Sequence, residues 1–263
     1  MRTKLVVGNW KMHLTLAEAG ALVEELLGIY RPKSDVDVAV CPGFVALARV
    51  RQLLKDSPLK LGAQDVFWEE TGAFTGQVSP AMLADLCADY CIVGHSEARG
   101  RFGSGPASPE VAPYFTETNT TLHQKVEALL FRAITPILCV GETVDEREAG
   151  QAESTVQAQL EGALRGFDPT ELYGVVVAYE PVWAIGTGKV CEPEEAGRMC
   201  GVVRQTVSEL ADADVGANLR VLYGGSLKPD NSFAIFQQAE VDGGLVGGAS
   251  LSASSFAQIV HAA

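Results

Sequence analysis

The strongest constraint on the fold is a regular alternation of short apolar segments with amphipathic ones. Eight apolar segments have the length and composition of buried strands: Lys4–Trp10, Asp37–Cys41, Leu59–Gln64, Tyr90–Gly94, Pro136–Val140, Gly174–Tyr179, Leu219–Tyr223 and Gly243–Val246. Each is followed by apolar residues at helical spacing, as in Leu22, Val23, Leu26 and Leu27. Because alternating strands and helices form parallel sheets with right-handed crossovers, an α/β fold is predicted.

Eight such units within 263 residues predict a closed (β/α)₈ barrel with helices around the strands. An open doubly wound sheet would more often carry Gly-x-Gly-x-x-Gly after its first strand, and that pattern is missing there. Helix starts are predicted at Ser79-Pro80 and Lys228-Pro229, since proline suits the first helical turn. No linker divides the chain, so residues 1–263 are expected to form one domain, with an extra Gly/Pro/Ser-rich loop at about 100–113.

Charge and hydropathy exclude several classes of partner. The net charge is −13, whereas nucleic acids and anionic membranes attract proteins rich in Lys and Arg. No apolar run approaches the ~20 residues of a membrane span, and the N-terminal apolar stretch is shorter than the ~7–15 residues of a signal peptide. A cytoplasmic protein is expected. Its six cysteines form no Cys-x-x-Cys pair and no zinc pattern with histidine, so we expect structural thiols and no metal.

One stretch, residues 178–189, combines a carboxylate with an apparent hinge. Glu180 ends an apolar run, and the stiff Pro181–Trp183 step and the flexible Gly186–Gly188 tip follow it. A base at a rigid strand end with a mobile lid beside it would have this form. The stretch taken alone is equally compatible with a surface turn and a solvated glutamate.

The carboxyl ends of the barrel strands are where chemistry is expected. The candidate residues at those ends are Asn9, Lys11, His95, Glu97, Glu180, Ser226, Gly247 and Gly248. Glycine turns after the seventh and eighth strands suit a phosphate group. A carboxylate and an imidazole on opposite sides of a small phosphorylated substrate indicate proton transfer next to a carbonyl, with Lys11 supplying positive charge. Taken singly, each group could be structural, and Lys11 could instead be a Schiff-base lysine. No cofactor fingerprint is found, so none is predicted.

Six motifs surround these candidate residues. They are Gly-Asn-Trp-Lys-Met (8–12), Val-Gly-His-Ser-Glu (93–97), Cys-Val-Gly-Glu (139–142), Tyr-Glu-Pro-Val-Trp-Ala-Ile-Gly-Thr-Gly-Lys (179–189), Tyr-Gly-Gly-Ser (223–226) and Leu-Val-Gly-Gly-Ala-Ser-Leu (245–251). They span nearly the whole chain in order, and the stretch at 179–189 is the most specific of them. Together they resemble the triosephosphate isomerase family.

This resemblance implies a role for each candidate residue. Glu180 would move a proton between C1 and C2, and a neutral His95 would polarise the carbonyl. Asn9 and Lys11 would contact the substrate, and Glu97 would support the site. The backbone N–H groups of Gly186, Ser226, Gly247 and Gly248 would bind phosphate. Residues 184–188 would form a lid that keeps water from the enediolate.

The resemblance also implies a homodimer, and here the chain departs from the family pattern. Residues 72–79 resemble the loop that enters a pocket of the partner near its Lys11. The family usually has Glu where Gln77 stands and Arg where Ala98 stands, so an ion pair between these positions would be missing. The loop at about 100–113 is also extra. Because it follows the His95 strand, we expect it on the active-site face or beside the interface.

Three functions compete at this point. The first is isomerisation of D-glyceraldehyde 3-phosphate and dihydroxyacetone phosphate. The second is a paralogous isomerase of a short sugar phosphate such as a tetrulose phosphate, which only the loop at 100–113 favours. The third is a barrel that only binds sugar phosphates or serves a structural role, which the presence of Glu180, His95 and Lys11 disfavours.

Overall fold

Eight parallel strands close into a barrel in the sequence order of the chain. The computed structural model describes residues 2–103, 107–115 and 117–263. The strands are β1 (Lys4–Asn9), β2 (Val36–Cys41), β3 (Lys60–Ala63), β4 (Tyr90–Val93), β5 (Thr135–Val140), β6 (Val176–Tyr179), β7 (Arg220–Tyr223) and β8 (Gly243–Val246). β1 pairs with both β2 and β8, which completes the ring and confirms the predicted (β/α)₈ class.

Helices cover the outside of the barrel. They are α1 (Leu16–Ile29), α2 (Leu47–Leu54), α3 (Pro80–Asp85), α4 (Asn119–Phe131), α5 (Val144–Glu148), α6 (Ala152–Leu164), α7 (Pro169–Leu172), α8 (Pro193–Leu210), α9 (Ala213–Asn218), α10 (Ser232–Phe236) and α11 (Ala253–Ala262). Short 3₁₀ helices cover Phe44–Ala46, Ala112–Tyr114, Val182–Ala184 and Gly248–Leu251. Within the described ranges, no helix has both the length and the apolarity to cross a bilayer.

Alternation along each strand divides the core into two layers. In β1, Leu5 and Val7 point into the barrel, where they join a cluster that includes Ile92 of β4 and Val176 of β6. Val6 lies between them in sequence and packs outward in the large cluster between strands and helices. Both faces of each strand are therefore buried, which explains why the strands appear in the sequence as continuous apolar runs.

The structure corrects one predicted helix start and supports another. Ser79 caps α3, with Pro80 in its first turn. No helix begins at Lys228-Pro229, because α10 starts only at Ser232. The Asn231 side chain accepts the Lys228 N–H at 2.8 Å and donates to the Ser226 carbonyl at 2.9 Å, which holds this segment as a turn. Local side-chain hydrogen bonds of asparagine compete with a helix in this way.

The extra loop at about 100–113 emerges beside the barrel mouth, where its first residues line the central cavity. Residues 104–106 of this predicted loop lie outside the described residues. In the described part, Phe115 packs edge-on against Phe102 with ring centres 5.2 Å apart. The start of the loop therefore contacts the segment just beyond its end.

Candidate active site

The candidate residues come together at the carboxyl ends of the strands. A cavity of about 900 Å³ opens there and is lined by Asn9, Lys11, His95, Glu97, Gly186, Ser226, Gly247 and Gly248. Glu180 lies behind the cavity wall, directly after β6, and is 1% exposed. All nine residues thus lie at one end of the barrel, as sequence position relative to the strands predicts.

Lys11 has an unusual backbone that is held by side chains from two strand ends. Its φ is +50°, in the left-handed region that residues other than glycine seldom occupy. Asn9 Oδ1 accepts the Lys11 N–H at 3.0 Å, and Gln64 Nε2 donates to the Lys11 carbonyl at 2.8 Å and to the Cys41 carbonyl at 2.9 Å. The Lys11 Nζ contacts Glu97 Oε1 at 2.6 Å. The ammonium group is therefore fixed in direction before any ligand arrives.

Glu180 and His95 form the centre of the site. Glu180 Oε2 accepts the Ser96 backbone N–H at 2.8 Å, and Glu180 Oε1 lies 2.9 Å from His95 Nε2. That short approach is misaligned for a hydrogen bond, and Oε1 has no hydrogen-bond partner in the described part of the chain. A buried carboxylate oxygen without a partner is costly, so Glu180 Oε1 is left free to accept a hydrogen bond or a proton from a ligand.

The two groups change each other's titration. Burial alone would raise the pKa of the Glu180 carboxyl, but the adjacent His95 ring and the Ser96 N–H hold this pKa below its ordinary value. Burial would lower the pKa of His95, but the Glu180 carboxylate more than offsets this effect and raises it. The Glu97 N–H, however, donates to His95 Nδ1 at 3.2 Å, which requires that nitrogen to be unprotonated. The carboxylates of Glu180 and Glu97 therefore favour the charged ring, whereas the Glu97 backbone N–H favours the neutral one.

The two glycine turns of the site differ in what the glycines do. A Cβ on Gly224 would lie 2.9 Å from Glu180 Cγ, and one on Gly225 would lie 2.2 Å from the Tyr223 hydroxyl oxygen. Close packing around the base therefore accounts for glycine after β7. A Cβ on Gly248 would meet no other described atom within 4 Å, and one on Gly247 would lie 3.5 Å from Lys11 Cε. The turn after β8 thus leaves open space beside a cation, as an anion site needs.

The segment after Glu180 is anchored at its start and exposed at its tip. Glu142 is fully buried, and its Oε1 accepts the Trp183 Nε1–H at 2.8 Å and the Tyr179 hydroxyl at 3.0 Å. Burial raises the pKa of Glu142. Residues 186–190 are exposed, and Gly186 has a φ of +71°. The predicted lid therefore has a fixed first hinge and a tip with few contacts, which is typical of a segment that moves.

Two supporting residues were missed in the sequence. Gln64 follows β3 directly, so the rule that selected Asn9 and Glu180 applies to it as well. Unlike Asn9, Gln64 lies outside all six motifs, so its position after β3 is its only signal in the sequence. Glu142 stands in the Cys-Val-Gly-Glu motif, but only the fold shows that it binds Trp183 and Tyr179.

A closed (β/α)₈ barrel with a buried carboxylate, an imidazole and a lysine at the carboxyl ends of its strands has the design of a barrel enzyme for small anionic substrates. A family model described as triosephosphate isomerase matches residues 4–263. The chain therefore belongs to the triosephosphate isomerase family.

Three relatives agree with this assignment. The chain is 51% identical to the triosephosphate isomerase of Roseiflexus sp. strain RS-1 over 261 residues, which are 99% of this chain and 98% of that protein. It is 48% identical to the enzyme of that name from Roseiflexus castenholzii, with the same coverage. Identity to the one from Chloroflexus aurantiacus is 46%, covering 99% of both chains. The predicted family and isomerase activity are thus confirmed.

Proposed function

We propose that Glu180 is the base with which this isomerase moves a proton between C1 and C2 of D-glyceraldehyde 3-phosphate and dihydroxyacetone phosphate. One observation carries the proposal: Glu180 is buried, and its Oε1 lies 2.9 Å from His95 Nε2. A carbonyl oxygen bound to His95 would bring the neighbouring carbon within reach of the carboxylate.

In this mechanism the other residues stabilise charge. His95 donates from Nε2 to the carbonyl oxygen, and the Glu97 N–H on Nδ1 keeps the ring neutral once Glu180 turns to the substrate. Lys11, fixed by Asn9, offers positive charge to the enediolate and to the phosphate. The N–H groups of Gly186, Ser226, Gly247 and Gly248 bind the phosphate, and residues 184–188 close over it. Glu180 then returns its proton to the other carbon. His95 Nε2 gives its proton to the former carbonyl oxygen and takes one from the hydroxyl oxygen of the neighbouring carbon, so atoms and charge balance over the cycle.

Steady-state assays on three-carbon and four-carbon sugar phosphates test the reaction. We expect kcat/KM to be far higher for the triose phosphates, because His95, Lys11 and the phosphate turn line one cavity. Faster turnover of a tetrulose phosphate would favour the paralogous activity. Binding without turnover of either class would contradict catalysis altogether.

We further propose that the active form is a homodimer joined through loop 72–79. Three exposed apolar side chains support it: Phe74 at 43%, Met12 at 97% and Val45 at 82%. Burying one aromatic side chain stabilises by about 1.5–3 kcal/mol, whereas an exposed ion pair contributes only ~0–1 kcal/mol. Apolar insertion should therefore outweigh the absence of an ion pair between Gln77 and Ala98.

Sedimentation across a dilution series tests the dimer. Phe74→Ala should weaken association by about tenfold or more, consistent with the loss of a buried aromatic side chain. The control is Phe233→Ala, because Phe233 is an exposed aromatic on α10, outside this loop. A wild-type chain that stays monomeric and fully active at all concentrations would refute the dimer.

The remaining expectations are proposals of the same kind. We propose that residues 1–263 act as one barrel domain in the cytoplasm. A single cooperative unfolding transition, seen equally by fluorescence and by circular dichroism, tests the first part. Fractionation of the native host tests the second.

A further inference from the structure

Residues 101–103, which we call the stem, pass directly against the lid. A Cβ on Gly103 would lie 2.1 Å from the Ile185 carbonyl oxygen, 2.9 Å from the Val182 carbonyl oxygen and 2.9 Å from Thr187 Cγ2. Gly103 is not among the residues with positive φ, so its own backbone would accept alanine. The position needs glycine because the lid, through Ile185 and Thr187, and the fixed hinge, through Val182, both lie against it.

The stem is fixed on its other sides. Arg101 Nη2 donates to the Gly141 carbonyl at 3.2 Å and pairs with Glu146. Gly141 in turn packs against the backbone of the base, since a Cβ there would lie 1.7 Å from the Glu180 carbonyl oxygen. Phe102 packs edge-on against Phe115 at the far end of the extra loop. The stem thus cannot shift easily when the lid presses on it.

The lid that touches the stem is exposed at its tip, and the base before it is turned away from the cavity. Residues 186–190 are exposed, and a Cβ on Gly186 would meet no described atom within 4 Å. The same holds for Gly248 on the phosphate turn. Glu180, which the hinge and the lid follow, accepts the Ser96 N–H and is not among the residues that line the cavity. The contacts with Gly103 therefore accompany a base that is withdrawn from the cavity.

We propose that the stem is the stop on which the open lid rests, with Gly103 as a positioning residue that sets the balance between open and closed lid. This inference rests on the proposed function of residues 184–188 as a lid. A ligand that binds the closed lid gains affinity when the open lid is destabilised, because a larger fraction of the free protein then has its lid closed. A larger side chain at residue 103 should therefore raise the affinity for such a ligand rather than lower it.

The test is Gly103→Ala with 2-phosphoglycolate as the probe. We expect the dissociation constant and KM to fall about threefold or more, since the open lid loses its space. We expect kcat to fall as well, because a lid that opens less often delays product release. Lower kcat with unchanged KM and unchanged probe affinity would indicate a merely structural defect and would overturn the proposal. Weaker probe binding would also overturn it.

Two variants sharpen the result. Gly28→Ala is the matched control, since Gly28 is exposed on α1 and a Cβ there would meet no described atom within 4 Å. It should leave probe affinity unchanged. In an Arg101→Gln background the stem loses an anchor and can yield, so the effect of Gly103→Ala should shrink. Full additivity of the two substitutions would refute the anchoring role of Arg101.

Hydrogen exchange on the wild-type chain provides a test that needs no variant. The probe should protect the amides of residues 185–188 and increase exchange at the stem, because the lid leaves it. Unchanged or slower exchange at the stem would overturn the proposal. If the wild-type chain binds the probe but lacks isomerase activity, the proposed function fails. If Gly103→Ala changes neither probe affinity nor kcat, only the role of the stem as a stop for the lid is refuted.

Discussion

The amino and carboxyl ends of the barrel use charged side chains in opposite ways. At the amino end, Asp37 of β2 lies between Arg220 at 2.9 Å and Lys60 at 3.1 Å, and both cations also lie over the Tyr90 ring. At the carboxyl end, Glu180 keeps one oxygen without an aligned partner among the described residues. The amino end is therefore arranged for mutual neutralisation and the carboxyl end for a ligand.

A second amino-end carboxylate makes the contrast sharper. Asp242 accepts from Arg2 and from Arg204, each at 2.7 Å, and from the Val221 N–H at 2.9 Å. The left-handed backbone of Lys11 has no counterpart in this network. Strain and unmet hydrogen bonding lower stability, so they persist where they serve a purpose. The comparison implies that substitutions at the two ends should separate activity from stability.

The largest effect should come from Glu180→Asp. Shortening the side chain draws the base back by about 1 Å, and a misplacement of this size can cost about 10²-fold in kcat. The melting temperature should not fall by more than a few degrees. The control is Glu240→Asp at the opposite end, where Glu240 pairs with Arg204 beside Asp242, and it should leave kcat unchanged. Measured kcat values that agree for Glu180→Asp and wild type would remove Glu180 from the role of base.

Gly248→Asp should abolish stabilisation by an anion. A ligand that binds only the native state stabilises by about 2.7 kcal/mol at a hundredfold excess over Kd, and a carboxylate in the anion site would repel it. Thermal unfolding with and without inorganic phosphate measures the difference. Gly28→Asp adds the same charge on α1 and should retain the full shift. If Gly248→Asp retains it too, the phosphate lies elsewhere.

Asp37→Asn should show the reverse pattern. It leaves the Arg220 and Lys60 cations close together without their shared anion. We expect a loss of about 1–2 kcal/mol, less than the ~3–5 kcal/mol of a fully buried pair, because these groups are partly exposed. Denaturant titration measures the loss, and kcat per folded molecule should stay at the wild-type value. A drop in kcat without a drop in stability would break the proposed division between the ends.

The smallest effect is a shift in the titration of His95. Contact with Glu180 raises the pKa of His95 in wild type, so Glu180→Gln should lower it below its ordinary value, because burial then dominates. Nitrogen-15 spectra of the ring across pH measure this directly. Because the pKa of His95 is raised in the folded state, its protonation stabilises the folded protein below about pH 6.5. This stabilisation disappears as the pH rises through the folded-state pKa of His95. The melting temperature of wild type relative to Glu180→Gln should therefore fall as pH increases, and an opposite slope would contradict the pairing.

Most of the fold and the position of the site could be predicted because periodicity and strand ends are local signals. The observed strands agree with the predicted ones to within two residues, as Gly174–Tyr179 against Val176–Tyr179 illustrates. The failed helix start at Lys228-Pro229 depended on one side chain, Asn231, that competes with the helix. Contacts between loops that are distant in sequence give no local signal of this kind. That Gly103 meets Ile185 follows only from how two distant loops leave the barrel.

Closure of the barrel has a consequence for how the chain folds. β1 pairs with β8, so residues more than two hundred positions apart must meet before the ring is complete. Such distant pairing is slow because chain entropy opposes it. Lys11 and Gly247 come from these same two ends of the chain. Catalytic activity should therefore reappear during refolding only with this last pairing, after most helical signal has returned. The rate at which activity returns then measures the rate of ring closure.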